Sequence, residues 1–113
     1  MAAARGIAER VEGALARAAE LEHLGAVWEL DAERARERAR AQESAASRGE
    51  DCGPLAGAVC AWKDCFDVAG LHTTGGAPWR SNSPPATASA TVVQRLEAAG
   101  AISIGKLAMT QLA

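Results

Sequence analysis

With 113 residues, the chain is one domain at most, or part of one. Its 49% hydrophobic fraction is about half alanine, and Leu, Ile, Val and Phe together supply 19 residues. The core is therefore thin, and the chain reads as one that folds in company. Twelve basic against fourteen acidic residues, a net charge of −2, provide no basic field for a phosphate backbone, which points away from direct nucleic-acid binding.

At the N-terminus, MAAARGIAERVEGALARAAE carries Arg5, Glu9, Arg10 and Glu12, which interrupt every apolar run. Neither an export signal nor a membrane span can be placed there, so no membrane partner is expected and the expected compartment is the cytoplasm. Ile7, Val11, Leu15, Ala18 and Leu21 recur at helical spacing and predict an amphipathic helix from about Arg5 to Leu24, with Gly25 as its stop. A second helix is predicted from Asp31, whose carboxylate can accept from the first-turn N–H groups, to near Gly49. Its mixed charges, with Glu33 and Arg36 at i,i+3, leave alanines as its one apolar stripe.

Arg48 to Gly57 forms a joint, because Gly53-Pro54 excludes both helix and sheet ladder. Ala58–Lys63 then reads as a short buried strand, and Val68–Ser89 as a long irregular segment. A third helix is predicted from about Ala90 to Ala99, capped by Ser89 or Thr87, with Val92, Val93, Leu96 and Ala99 on its apolar face. A second strand follows over Ala101–Gly105, and Met109 with Leu112 is expected to begin another core helix. The order strand, loop, helix, strand predicts a parallel crossover, hence an α/β sheet with helices packed on it.

Ten of the twelve basic residues are arginine; the two lysines, Lys63 and Lys106, each stand at the carboxyl end of a predicted strand. Open α/β sheets place ligands and reacting groups at such ends. A strand-end lysine can simply extend to water. It can also act as a base, since desolvation brings a lysine amine towards neutrality while a guanidinium stays charged. Alternation places Val59, Ala61 and Lys63 on one face, Ala58, Cys60 and Trp62 on the other, and makes Asp64 a loop or cap acceptor rather than a partner of Lys63.

GPLAGAVCAWKDCFDVAGLHTTGG (Gly53–Gly76) and ATVVQRLEAAGAISIGKLAMTQLA (Ala90–Ala113) resemble two blocks of the amidase signature family, whose pattern runs GPLxGIPIAVKDNxDVAGLxTTxGS and then DATVVxRLxxAGAIxxGKTNMxEFA. The resemblance implies an incomplete portion of the amidase signature α/β/α fold, with 1–50 an N-terminal helical segment and 51–113 the start of the catalytic domain. It further implies hydrolysis of a carboxylic amide C–N bond by a serine nucleophile, a second serine in a cis peptide and a lysine, here Lys63, with a small-molecule amide as substrate and no cofactor. In the family both serines lie beyond the GK block. Ser81, Ser83 and Ser89 stand in a proline-bearing loop segment instead, so these residues alone are expected to be inactive. Departures from the pattern are Val59 for proline, Cys65 for asparagine, Ser89 for aspartate, Ala108 for asparagine and Gln111 for glutamate.

Cys52, Cys60 and Cys65 form an odd set that reads as reduced thiols. Cys60, Cys65 and His72 lack a close Cys pair and predict no metal site. His23 reads as a helix-terminal cation, Trp28 and Trp62 as packing residues, and Trp79 as a pocket-lining residue of its loop. Gly75-Gly76 and Gly105-Lys106 lack the spacing of a phosphate loop. Two other readings stay open: a non-catalytic helical interaction fragment, and a segment of the A-type chain of a transfer-RNA-dependent amidotransferase.

Overall fold

The computed structural model describes residues 6–113. Helix α1 spans Ile7–Glu20 and buries Ile7, Val11 and Leu15, the stripe expected from spacing. The predicted start at Arg5 lies outside the described residues. At its other end α1 stops four residues earlier than expected, and a single 3₁₀ turn, Glu22–Leu24, carries the chain to Gly25 in the left-handed region.

Strand β1, Val27–Leu30, follows, an element not expected from the sequence. Helix α2, Ala32–Ser47, buries Ala35 and Ala39 completely. Asp31 stands at its N-cap position without capping it through its side chain; the carboxylate pairs with Arg34 at 3.3 Å instead. The expected Glu33–Arg36 pair is present at 3.0 Å, and Arg36 also reaches Glu12 on α1.

Strands β2, Val59–Lys63, and β3, Ile102–Leu107, lie parallel, as the crossover order predicts. Helix α3, Thr91–Ala98, runs between them. Its N-cap is Ala90 rather than Ser89 or Thr87. The Ser89 hydroxyl accepts from the Ala69 N–H instead, and its carbonyl accepts from Gln94 Nε2. Val93 is the buried residue of α3, whereas Val92, assigned to the apolar face, is 41% exposed. The sheet order is β1-β3-β2, with β1 antiparallel to β3.

The sheet separates two apolar clusters. Ile7, Val11 and Leu15 of α1, Ala35 and Ala39 of α2 and Ile102 and Ile104 of β3 form the first, with Val59 and Ala61 packed against it. Trp62, Val68, Leu71 and Val93 form the second, with Cys60 against them. The alternation read along β2 is thus borne out by which cluster each residue joins. The long segment after β2 contains one 3₁₀ turn, Pro78–Asn82, and is closed at its neck: Gly70 N–H donates to Ala86 O, Ala86 N–H to Leu71 O and Ala90 N–H to Asp67 O. Those bonds satisfy loop backbone that a strand ladder would otherwise have to satisfy. Trp79 lies on this turn, 63% exposed, and borders neither of the two hollows described below. Residues 108–113 form a turn rather than the start of a helix, with Leu112 at φ 51° and 59% exposed.

Candidate active site

The carboxyl ends of the two parallel strands meet at Lys63 and Leu107, which face each other in the β2–β3 register. Lys63 is exposed there, and it borders a groove of about 440 Å³ whose other walls are Leu107, Ala108, Met109, Thr110 and Ala113. One cation among small and apolar side chains is a setting in which a planar, uncharged group can be presented to an amine.

Lys106 has a different fate from the one expected. It does not end β3 and extend to water; it lies within the strand with no exposed surface and is among the largest fully buried side chains of the chain. The departure originates in Gly105. Cys60 pairs with Ser103 but Trp62 with Lys106, so β3 carries one extra residue against β2, and Gly105 sits in that irregularity at φ 150°. An inserted residue re-aims the side chains that follow it. A Cβ at Gly105 would lie 2.1 Å from Glu29 O, so the glycine also allows β1 its close approach.

Lys106 Nζ then donates to His72 O at 2.9 Å and to Thr73 Oγ1 at 3.1 Å and forms an ion pair with Asp64 Oδ1 at 3.1 Å. The ammonium thus has three oxygen partners and no contact with water. Asp64, equally buried, accepts in addition from the Thr74 N–H at 3.1 Å and from the Thr74 hydroxyl. Burial acts to raise the Asp64 carboxyl, but the hydrogen bonds from Thr74 and the Lys106 ammonium outweigh it and hold the group below its ordinary 3.8. Asp64 is the acceptor expected from the sequence, and its cation is Lys106, not Lys63. On the far side of the same loop, His72 receives Glu29 twice, through its backbone N–H and through Nδ1, both at 2.8 Å. The His72 ring also lies 6.5 Å from Trp28, whose buried indole N–H has no partner among the described residues.

The cysteines stand apart from this centre. Cys52 and Cys60 are half-buried, Cys65 is exposed, and all three are free thiols. Burial pushes the Cys60 thiol up, which makes it a packing group rather than a nucleophile. A larger hollow, about 570 Å³, is lined by Ile7, Gln42, Ala46, Cys52, Gly53 and Pro54 among others; it contains no lysine or histidine.

Sequence reasoning missed the pairing of Lys106 with Asp64. Its one available signal was that both lysines of an arginine-rich chain fall in the two blocks that also contain the strands.

An amidase family profile matches residues 9–113. The A-type chain of glutamyl-tRNA(Gln) amidotransferase from Anaeromyxobacter sp. (strain K) is 44% identical over 106 residues, covering 93% of this chain and 21% of that protein. AtzE of Pseudomonas sp. (strain ADP), which belongs to 1-carboxybiuret hydrolase, is 46% identical over 81 residues, 72% of this chain and 18% of the relative. Among solved structures, the native peptide amidase from Stenotrophomonas maltophilia superposes with a TM-score of 0.85 at 29% identity, covering 95% of this chain and 22% of that one. The chain thus spans about a fifth of the length of these relatives.

Proposed function

Since the chain belongs to the amidase family, we propose that it is the segment of an amide C–N hydrolase that supplies the general base, Lys63, to an active site completed by serines of the rest of the fold. The observation that carries this is the position of Lys63: in the KD pair of the family block, at the carboxyl end of a parallel strand, open to a groove of apolar and small side chains.

In its neutral form Lys63 Nζ accepts the proton of a bridging serine hydroxyl, which takes the proton of the nucleophilic serine as that oxygen bonds to the amide carbonyl carbon. The C–N bond breaks as the relay returns the proton to the leaving nitrogen. Water then cleaves the ester by the same relay, giving a carboxylic acid and free serine. A neutral lysine needs a desolvated setting, and on this reading residues of the rest of the fold supply it to Lys63. Residues 51–113 are on this reading the beginning of the catalytic domain, and the substrate is a small-molecule amide.

The likeness to the A-type chain of an amidotransferase supports a second reading, in which the same base serves a transfer-RNA-dependent transferase. Turnover of small amides without transfer RNA separates the two. In a full-length amidase carrying this segment, Lys63→Ala is expected to lower kcat by about a thousandfold or more while thermal stability stays at the parent value. Unchanged turnover would remove Lys63 from the mechanism and return the chain to the reading of a non-catalytic interaction fragment.

A further inference from the structure

We propose that Asp64, Lys106 and Thr74 form a buried positioning unit for Lys63: they do not border the groove, but they hold the end of β2 against the segment after β3 that walls it. The proposal rests on the reading of Lys63 as the base. Its geometric content is that two other stretches of chain converge on the carboxylate next to Lys63.

Asp64 follows Lys63 directly, and its N–H donates to Leu107 O at 3.0 Å, tying the strand end to the residue opposite Lys63. The Asp64 carbonyl accepts from Gly75 N–H at 3.0 Å, and its carboxylate accepts from both Thr74 donors. Lys106, one residue before Leu107, completes the set and also fixes His72 O and Thr73. The same loop packs against the segment that walls the groove, for Gly75 O accepts from Leu112 N–H at 2.7 Å and a Cβ on Gly76 would lie 2.5 Å from Met109 O. Residues 63–64, 72–76 and 106–112 are therefore registered to one another through Asp64.

Packing alone does not account for this choice of residues. Taking an ammonium and a carboxylate out of water is costly, and apolar residues of similar volume usually serve a core as well or better. A chain short of core-forming side chains nevertheless places a charge among its largest fully buried ones. What the pair adds over apolar packing is direction, because hydrogen bonds restrict distance and angle as apolar contacts do not. It also gives the carboxylate beside Lys63 a fixed cation, so that Lys63 is not drawn into pairing with its own neighbour.

The test removes both charges together, Asp64→Asn with Lys106→Met, so that no buried charge is stranded. In the 113-residue chain, amide hydrogen exchange is expected to accelerate by about tenfold or more at positions 64, 74 and 75, and to stay within about threefold at Asp31 and Ile102, whose N–H groups bond to Ile104 O and Ala58 O. No change, or the same acceleration throughout, overturns the proposal. In a full-length amidase carrying the segment, the double variant is expected to lose about tenfold or more in kcat with KM within about threefold. A parental kcat, where Lys63→Ala is inactive, overturns the positioning role and leaves the base intact. Normal turnover of Lys63→Ala instead removes the base and leaves the exchange result as a statement about the fold.

Discussion

The ammonium of Lys106 and the carboxylate of Asp64 meet where neither touches water, so the pair makes the fold sensitive to acid. Asp64 is held below its ordinary 3.8, which means that the folded state releases the Asp64 proton more readily than the unfolded chain does. Its stabilising contribution is therefore full above about pH 4 and is lost as pH falls through the lower folded value. Asp31 works in the opposite sense, because burial, opposed only in part by Arg34, raises its carboxyl. Comparing the chain with the double variant Asp64→Asn, Lys106→Met isolates the first group without stranding the buried ammonium. Urea unfolding from pH 7 down to pH 2.5 is expected to show the parent losing stability steeply below about pH 4, and the double variant falling less over the same interval. Parallel curves would show that Asp64 titrates alike in both states.

At the scale of elements, β1 exists because of a glycine in another strand. Val27 pairs with Leu107 and Glu29 with Lys106, so β1 also carries an extra residue, and Leu30 lies opposite Gly105. Gly105→Ala would set a methyl group against Glu29 O from a backbone angle of 150°. Strain and overpacking together are expected to cost about 3 kcal/mol or more, with β1 detaching first. Loss of amide protection at Asp31 and Ala108, which bond across that edge, before loss at Ile102 would register it; uniform protection would refute it. The helices and the parallel pair were legible because their spacing is set by one buried face each: Ile7, Val11 and Leu15 in α1, and Val59 and Ala61 against Cys60 and Trp62 in β2. Strand β1 was not, since four residues with Glu29 in their midst give too short an alternation. Lys63 could be placed at its strand end from sequence, but the burial of Lys106 could not. It depends on an irregular register between strands, which leaves no trace in the order of residues.

For the whole molecule, the sparse supply of large apolar side chains is spent on two small clusters, one on each side of a three-stranded sheet. Part of what remains is left outside: Leu24, Leu30, Phe66, Trp79, Val92 and Leu112 are each at least 36% exposed. Polar side chains do some of the joining that a larger core would do. Gln42 on α2 accepts from Gly57 N–H at 2.9 Å and donates to Gly100 O at 2.7 Å, linking the entrances of β2 and β3, while Arg38 reaches both the carboxylate and the carbonyl of Glu97. Such bonds are worth about 1 kcal/mol each where partly exposed and cannot replace buried area. The free edges of β1 and β2 further leave backbone groups that no neighbouring strand satisfies among the described residues. Taken alone, the 113-residue chain is therefore expected to unfold in urea with a stability under about 5 kcal/mol, below the usual range for a domain of its length. Circular dichroism through the transition, with size-exclusion chromatography in its absence, measures this. A sharp two-state transition of a compact monomer well above that value would mean that the two clusters suffice without the rest of the amidase fold.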